Sequence, residues 1–338
     1  MYIKDKLQIY IITYNRKSKL QNTLNSILKE NSPIREFDIT ILDNASTDGS
    51  SEMIEEYCVK HKNIKHVRHH INIGGNANIC RAFELSAACG KEYAWILCDD
   101  DYYDWENWAE IENAICYGKY DMLYTCTQSI SHKKDIAELT HQATFIPAII
   151  YSVSCINDEV LQNMYNTINT MFCQTMLHAD IICNKPDRVF LPIKDVVIRV
   201  DSPEESDKTI IRGRNERLVH PDTKNVFWHI GFIKAIQIVS DKKKRNYIIQ
   251  KVRFNGDKTP DLVDYFLEII RYNKKNKQGN LKNLFELYFN IGTVQKLLLC
   301  LAVILYNTIY FYKGKNQINI SLLGFIRFTV FSTNWFKR

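Results

Sequence analysis

The chain has 338 residues, with 44 Lys and Arg against 38 Asp and Glu, a formal net charge of +6. Its composition of 46% hydrophobic and 24% charged residues excludes an intrinsically disordered chain. The charge is divided unevenly, because residues 1–238 carry 26 basic and 32 acidic side chains, whereas residues 239–338 carry 18 basic and 6 acidic ones. Length and charge together predict more than one structural unit, and a different environment for residues 239–338.

The ten cysteines are scattered along the chain and form no CxxC pair. This spacing excludes a zinc ribbon and a disulfide scaffold, and it favours a reducing compartment. The N-terminal segment MYIKDKLQIYIITYN has only a short apolar run and no cleavage site of small residues, so it does not predict a secretory signal. We therefore expect a cytoplasmic protein.

The first third of the chain alternates short apolar runs with amphipathic stretches. The apolar runs predict strands at Leu7–Thr13, Phe37–Leu42, Ile64–Arg68 and Tyr93–Cys98. The amphipathic stretches predict helices at Ser18–Lys29, Asp48–Lys60 and Ile79–Cys89. Such alternation predicts parallel βαβ units with right-handed crossovers. The ligands of these sheets bind beyond the carboxyl ends of the strands.

The remainder of the chain is less regular. Its patterns predict helices at Trp105–Tyr117 and Asp158–Met171, and strands at Asp121–Thr127 and Ala148–Val153. Beyond residue 236 the sequence predicts a basic helical region, which includes the uncharged 16-residue run Leu297–Tyr312.

Polar clusters follow three of the predicted strands, at residues 14–16, 43–46 and 99–101. The third cluster is three consecutive carboxylates, which need either water or a cation around them. Hard cations such as Mg²⁺ and Mn²⁺ bind carboxylate oxygens and usually substrate phosphates as well. A solvated acidic loop is the alternative interpretation, and the position of the cluster at the end of a strand favours the cation.

Asp43 follows the second strand directly. A carboxylate in this place can accept hydrogen bonds from a base N–H or a ribose hydroxyl. Asp43 and its neighbours up to Asp48 are also a good turn and helix-cap sequence. Both interpretations can hold together, with Asp48 as the cap and Asp43 as the ligand-binding group.

A second polar loop, residues 72–78, contains two adjacent glycines, and Arg81 follows it by one helical turn. Glycine backbone lets a phosphate or ribose approach closely, and an arginine can neutralise the charge of a phosphate. The loop is not GxGxxG and does not follow the first strand, so the sequence excludes a nicotinamide-dinucleotide site of the Rossmann type.

The chain resembles the family 2 glycosyltransferases of the GT-A fold in four successive motifs: IYIITYNR, ILDNASTDGS, NIGGNANICRAFELS and WILCDDD. The resemblance implies an α/β fold, with a Rossmann-like, mostly parallel mixed sheet flanked by helices, followed by a C-terminal helical region. It implies a nucleotide-sugar-binding half at residues 1–125 and an acceptor-binding half at residues 126–238. Residues 239–338 would form a basic helical tail.

The resemblance also implies roles for individual residues. Asp43 would read the nucleobase or ribose, and Tyr14 would help to shape the base pocket. Asp99 and Asp101 would take the two acidic places of a DxD motif that binds Mn²⁺ or Mg²⁺, with Asp101 the more direct metal ligand. The implied donor-binding set is Thr13, Tyr14, Asn15, Arg16, Asp43, Asn44, Ser46, Gly75, Asn76, Asn78, Arg81, Asp99 and Asp100.

Members of the family carry a catalytic base in the second half, usually an Asp of an acidic pair that opens a helix. The matching position here is Asp180, 79 residues after Asp101, and His178 stands where an acidic residue is expected. Histidine suits removal of the acceptor proton because its ordinary pKa lies near working pH, and aspartate suits it if the carboxylate is partly buried or orients the hydroxyl. Either can equally have a structural role, as a buried helix residue or a paired surface carboxylate.

Residues 212–229 are polar and aromatic, and they are expected to close over a diphosphate. His229, or alternatively His220, is a candidate for a third metal ligand. The alternative interpretation for each of these residues is a solvated loop or helix surface with no role in binding.

The basic tail has three interpretations. Nucleic-acid binding is disfavoured, because the tail has no RRM, KH or helix-turn-helix signature. A plain helical subdomain with solvated lysines is the second. The third is an interfacial helix on the anionic inner leaflet, because Leu297–Tyr312 is shorter than the roughly 20 residues of a spanning helix and is flanked by Lys296 and Lys313. The sequence favours this third interpretation.

The expected activity is therefore metal-dependent, inverting transfer of a sugar from a nucleoside diphosphate sugar to a glycan or lipid-linked acceptor. The family resemblance points to bacterial surface polysaccharide or lipooligosaccharide synthesis at the inner face of the cytoplasmic membrane. A non-catalytic nucleotide-sugar-binding module is one alternative. A sugar nucleotidyltransferase is another, although that class needs a Gly-rich triphosphate loop and YNRKSK has no glycine.

Overall fold

The computed structural model describes residues 2–127, 130–132, 135–198, 231–252, 288–289, 291–314, 317–322 and 326–331. The chain forms two compact units. The first comprises Met1–Gly213 and Lys234–Val252, and the second comprises Arg214–Ile233 and Arg253–Arg338.

The first unit is built on a seven-stranded sheet with strand order β3-β2-β1-β4-β7-β6-β8. These strands are β1 Leu7–Thr13, β2 Ile39–Asp43, β3 Ile64–Arg68, β4 Tyr93–Cys98, β6 Met122–Tyr124, β7 Ile149–Ser152 and β8 Val189–Phe190. β1 pairs in parallel with β2 and β4, and β7 runs antiparallel to β4 and β6. A two-residue strand pair, β5 Tyr102–Tyr103 with β9 Val197–Ile198, lies beside it. The sheet is mixed and mostly parallel, as the sequence predicts.

Helices flank this sheet. They are α1 Ile3–Lys6, α2 Lys17–Ile27, α3 Ser50–Lys60, α4 Gly75–Ala87, α5 Trp108–Tyr117, α6 Ile136–Gln142, α7 Asp158–Asn166, α8 Thr175–Asn184 and α9 Lys242–Lys251. Because helices cover both faces of a parallel sheet, its central strands are continuous apolar runs. At the centre, the Trp95 indole N–H donates to the Pro147 carbonyl over 2.8 Å and its ring stacks on Trp108.

Three of the predicted strands, β1, β3 and β4, have the expected bounds. Helix α4 begins at Gly75, four residues before the predicted Ile79, because the Asn78 N–H already bonds to the Gly74 carbonyl. Helix α7 ends at Asn166 rather than at Met171, which adopts a left-handed φ of 66°. Apolar periodicity does not detect the start of α4, because its first turn is polar. It also does not detect the end of α7, because the left-handed backbone of Met171 leaves no apolar pattern.

The second unit contains helix α10 Thr293–Thr308 and an antiparallel sheet of β10 Ile309–Gly314, β11 Gln317–Leu322 and β12 Ile326–Phe331. The predicted helical tail is therefore wrong for residues 309–314, 317–322 and 326–331. The reason is that IYFY, INI and IRFTVF are rich in β-branched and aromatic residues, which favour strands when a partner strand is available. Within the described part of the chain, no helix has both the length and the apolarity needed to cross a membrane.

Candidate active site

The sheet register places three polar clusters side by side. Thr13 is aligned with Asp43 on β2, and Ile12 is aligned with Cys98 on β4. The carboxyl ends of these strands therefore bring residues 14–16, 43–46 and 99–101 to one edge of the sheet, as the strand order predicts.

Asp99 is the buried member of the acidic run, with only 3% of its surface exposed. The Thr13 hydroxyl donates to Oδ2 over 2.7 Å, and Nη1 of Arg16 lies 3.0 Å from Oδ1. The Thr23 hydroxyl donates to the backbone carbonyl of Asp99. Burial raises the pKa of Asp99, and the positive charge of Arg16 opposes that rise. Each carboxylate oxygen of Asp99 is thus held by a residue of the chain itself.

Arg16 joins the first two carboxylates. Its Nη1 lies 2.7 Å from Oδ2 of Asp100 as well as 3.0 Å from Asp99, and Nζ of Lys19 is 3.7 Å from the same Asp100 oxygen. Burial lowers the pKa of Arg16, but the charges of Asp99 and Asp100 outweigh this effect and raise it overall. Arg16 is therefore a permanent cation in the acidic cluster.

The residues that fit a divalent cation are Cys98, Asp100 and Asp101, whose ligand atoms all lie within 4.8 Å of one another. The carboxylates suit Mg²⁺ or Mn²⁺. The Cys98 thiol is a soft sulfur ligand, which suits these hard cations less well than a carboxylate does. The family resemblance implies Asp99 and Asp101 as the ligands. Asp99 lies outside this group, and its two oxygens contact Thr13 and Arg16.

Asp43 is fully buried and bonded within the chain. The Ser46 N–H donates to Oδ1 over 2.8 Å, and the Ser51 hydroxyl donates to Oδ2. Burial raises the pKa of Asp43, but its hydrogen bonds with His66, Ser46 and Ser51 outweigh burial and lower it far below the ordinary value. The turn predicted around Asp43 is present, and contact with a nucleobase or ribose remains a prediction. The N-cap of α3 is Gly49, so the predicted cap at Asp48 is wrong by one residue; Asp48 accepts from the Ser50 N–H over 3.1 Å from the position before the cap.

Two basic residues on β3, His66 and Arg68, were missed by the sequence analysis. His66 Nε2 lies 3.6 Å from Oδ2 of Asp43, and Arg68 Nε lies 3.5 Å from it. The other His66 nitrogen, Nδ1, is 2.7 Å from Oε1 of Glu55. Burial lowers the pKa of His66, but the two carboxylates outweigh burial and raise it. The sequence contains part of this information. His66 and Arg68 are two residues apart on a predicted strand, so they share one face of it, and parallel pairing of β3 with β2 aligns Arg68 with Asp43.

Side-chain amides connect the three loops. Asn44 donates to Oδ1 of Asn72 over 2.8 Å and accepts from the Ile73 N–H. The Asn15 N–H donates to Oγ of Ser46 over 2.9 Å. Asn15 itself has a left-handed φ of 51°, a conformation that asparagine tolerates better than most residues. These predicted site residues therefore fix the shape of the loops around the cluster.

The remaining donor-loop residues have partners along α4. Asn76 donates to the Ile168 carbonyl over 2.8 Å, and Asn78 donates to the Leu42 carbonyl. Arg81 forms an ion pair with Glu84 over 2.7 Å, and residues three apart lie on one face of a helix. Gly75 is exposed at the start of the helix, and Tyr14 is exposed beside Asn15. His229 and the stretch 212–229 lie outside the described residues.

The two candidate bases on α8 differ in exposure. His178 is completely buried, and neither ring nitrogen has a hydrogen-bond partner among the described residues. Burial lowers its pKa to about 3. Asp180 is half-buried, and Oδ1 accepts from the Asn184 amide over 2.6 Å. Asp180 is thus the more accessible proton acceptor of the pair.

Burial of His178 predicts acid sensitivity. The pKa of His178 is about 3 in the folded chain and 6.5 as its ordinary value. Between these pH values the unfolded chain binds a proton at His178 and the folded chain does not. The resulting stability is complete above pH 6.5 and declines as the pH falls toward 3. We expect His178 to account for roughly 3 kcal/mol of stability lost between pH 7.5 and pH 4.

Urea unfolding at both pH values measures this loss. His178→Gln should lose less stability on acidification than the native chain, whereas His70→Gln at an exposed position should lose the same amount. Equal losses in all three proteins would contradict the assignment.

A cavity of about 310 Å³ lies at the start of α2, lined by Asn15, Arg16, Lys17, Ser18, Lys19, Gln21 and Asp48. Three of its lining residues are cationic. Arg16 therefore borders the acidic cluster and open space at the same time.

The fold matches a solved structure, and part of the sequence matches curated proteins. A crystal structure of S. aureus TarS residues 1–349 with UDP-GlcNAc superimposes with a TM-score of 0.52 at 14% identity, covering 94% of this chain and 97% of that one. The abequosyltransferase RfbV of Salmonella typhimurium is 37% identical over 92 residues, 27% of each chain. The poly(ribitol-phosphate) β-N-acetylglucosaminyltransferase TarS of Staphylococcus aureus is 32% identical over 97 residues, 29% of this chain and 16% of that one.

The matched stretches thus span about a quarter or less of these curated relatives. The structural likeness confirms the predicted GT-A fold class. Residues 8–182, more than half of the chain, match the profile described as Glycosyl transferase family 2. The chain belongs to glycosyl transferase family 2.

Proposed function

We propose that this chain transfers a sugar from a nucleoside diphosphate sugar to a hydroxyl of a bacterial surface glycan or its lipid-linked precursor. The observation that carries the proposal is the acidic cluster at the carboxyl end of β4, next to the loops after β1 and β2. The names of its relatives support the acceptor class, since RfbV is an abequosyltransferase and TarS acts on poly(ribitol-phosphate).

Asp100 and Asp101 are the residues we propose to hold Mn²⁺ or Mg²⁺, which would supply positive charge beside the departing diphosphate. Asp99 is proposed to have a supporting role, since its buried carboxylate accepts hydrogen bonds from Arg16 and Thr13 and fixes their positions. The loop around Asp43, with Tyr14, Asn15 and Asn44, is proposed to form the nucleoside pocket. Arg68 is a further candidate there because it is exposed beside Asp43.

Asp180 is our proposed base. It would accept the proton of the acceptor hydroxyl while the hydroxyl oxygen forms the new bond to the anomeric carbon and the bond to the diphosphate breaks. A single displacement of this kind inverts the anomeric configuration. His178 is the alternative, and its complete burial is the argument against it.

A donor screen tests the proposal. The purified chain is incubated with UDP-, GDP-, dTDP- and CDP-sugars with and without Mn²⁺, and thermal shift and nucleotide release are measured. We expect one donor class to raise the melting temperature in a metal-dependent way and to be slowly hydrolysed. Binding without any hydrolysis or transfer would favour a non-catalytic sugar-nucleotide-binding module, and nucleoside triphosphate binding would favour a nucleotidyltransferase.

We further propose that the second unit attaches the enzyme to the anionic inner face of the cytoplasmic membrane. Along α10, Val294, Leu297 and Leu301 are exposed by 72%, 66% and 47%. Their spacing places them on one side of the helix, whereas Lys296 lies on a different side. An apolar stripe on a helix within a basic part of the chain is typical of helices that lie in the membrane interface.

Flotation with vesicles tests this attachment. The native chain should float with phosphatidylglycerol vesicles and much less with phosphatidylcholine ones. Changing Val294, Leu297 and Leu301 together to Ser should lower vesicle partition by at least about tenfold, because apolar burial is lost. Val59→Ser, at an exposed position of α3, is the matched control. Undiminished flotation of the triple variant would refute the attachment.

A further inference from the structure

Arg16 lies between two carboxylates that have different surroundings. A single nitrogen, Nη1, contacts Oδ1 of Asp99 at 3.0 Å and Oδ2 of Asp100 at 2.7 Å. One guanidinium nitrogen thus holds both acids, in place of the two-pronged contact that arginine makes with one carboxylate. Arg16 Nη1 lies closer to Oδ2 of Asp100, at 2.7 Å, than Nζ of Lys19 does, at 3.7 Å.

The contact with Asp99 is built into the core. Asp99 is 4% exposed at its side chain, and the Thr13 hydroxyl holds its second oxygen. A buried carboxylate that lost its counter-ion would carry a large desolvation penalty. The Arg16–Asp99 pair is therefore a fixed part of the structure.

The contact with Asp100 is of another kind. Asp100 and Arg16 have side-chain exposures of 23% and 26%, and Arg16 borders the 310 Å³ cavity at the start of α2. Asp100 also belongs to the group whose ligand atoms lie within 4.8 Å of one another, together with Asp101. The guanidinium and any divalent cation would therefore compete for Asp100, and the guanidinium borders open space into which it can withdraw.

We propose that Arg16 is a positioning residue that occupies Asp100 as a counter-ion until a divalent cation binds, and that the cation displaces it from Asp100 but not from Asp99. This inference rests on the proposed function, because it assumes that Asp100 and Asp101 hold the metal. Two cations that share one carboxylate repel each other, so Arg16 lowers metal affinity in the donor-free enzyme. It also keeps the acidic run from repelling itself when no metal is present.

The test is direct titration of the donor-free chain with Mn²⁺ by calorimetry or electron paramagnetic resonance. Arg16→Gln should bind Mn²⁺ about tenfold more tightly than the native chain, since one competing positive charge is gone. Lys19→Gln is the matched control, because Lys19 lines the same cavity but lies 3.7 Å from Asp100; its affinity should change by less than about threefold. Arg16→Lys keeps the charge and should remain close to native.

A second variant guards against misfolding. Arg16→Gln alone leaves Asp99 buried without its counter-ion, so Arg16→Gln combined with Asp99→Asn keeps the net charge of the pair and a carbonyl acceptor for Thr13. This double variant should bind Mn²⁺ more tightly than Asp99→Asn alone, which lacks the same carboxylate charge. Binding no tighter than that of Asp99→Asn in a folded double variant would overturn the role of Arg16 while leaving the proposed function intact. Absence of Mn²⁺ and Mg²⁺ binding by the native chain would overturn the proposed metal site, and this inference with it.

Discussion

Asp101→Asn should lower metal-dependent turnover by at least about a hundredfold, because it removes one of the two carboxylates proposed to hold the cation. Asp101 has ligand atoms within 4.8 Å of those of Asp100 and Cys98, and a neutral amide cannot replace the charge of a carboxylate there. The Cys98 thiol is a soft ligand and a poor substitute for a carboxylate toward Mg²⁺ or Mn²⁺. The measurement is donor hydrolysis or transfer at saturating donor over a range of Mn²⁺ concentrations.

The matched control for this variant is Asp104→Asn. Asp104 lies three residues further along, and its Oδ1 accepts from the Glu106 N–H rather than joining the acidic group. It should retain nearly native turnover. An unchanged rate in Asp101→Asn would remove the metal-site assignment.

Variants of Asp99 and Asp100 distinguish two candidate metal-binding pairs. The family resemblance implies Asp99 with Asp101, whereas the structure favours Asp100 with Asp101. If Asp100 and Asp101 hold the metal, Asp100→Asn should weaken Mn²⁺ binding. Asp99→Asn should act mainly on folding stability, because Asp99 is bonded to Thr13 and Arg16. Weaker Mn²⁺ binding in Asp99→Asn and native binding in Asp100→Asn would favour the DxD pairing of Asp99 with Asp101.

The fold of residues 7–98 could be predicted because its core is local in sequence. Each central strand is an apolar run, and each helix returns the chain to a neighbouring strand, so periodicity alone locates β1, β3 and β4. The C-terminal strands could not be predicted in this way. The apolar pattern of residues 309–314 does not distinguish a helix from a strand. These residues form β10, which pairs with β11, and such pairing is not visible in local periodicity.

The site was predicted as a location better than as a set of contacts. The carboxyl ends of β1, β2 and β4 follow from topology, so the three polar clusters were expected at one edge. Which carboxylate faces a core residue is set by side-chain direction, and this separates Asp99 from Asp100. Contacts across the sheet, such as those of His66 and Arg68 with Asp43, depend on the register of β2 and β3.

Asp180→Asn should reduce turnover at saturating donor by about a hundredfold to ten-thousandfold, the range typical of removing a general base. The Asn184 amide donates a hydrogen bond to Oδ1 of Asp180. We therefore expect Oδ2 to take the proton from the hydroxyl of the sugar acceptor. Substitution by asparagine preserves size and removes that capacity. Because Asp180 is not in the acidic run, donor affinity measured by thermal shift should stay within about threefold of native.

His178→Gln decides between the two residues. His178 has no exposed surface and a pKa lowered to about 3, so it neither reaches an acceptor in this conformation nor binds a proton readily near neutral pH. We expect it to alter acid stability and to leave turnover within about threefold of native. Asp187→Asn, exposed in the turn after α8, is the control for loss of a nearby negative charge. A large loss of turnover in His178→Gln, with native turnover in Asp180→Asn, would transfer the role of base to His178 and require α8 to expose that side chain during the reaction.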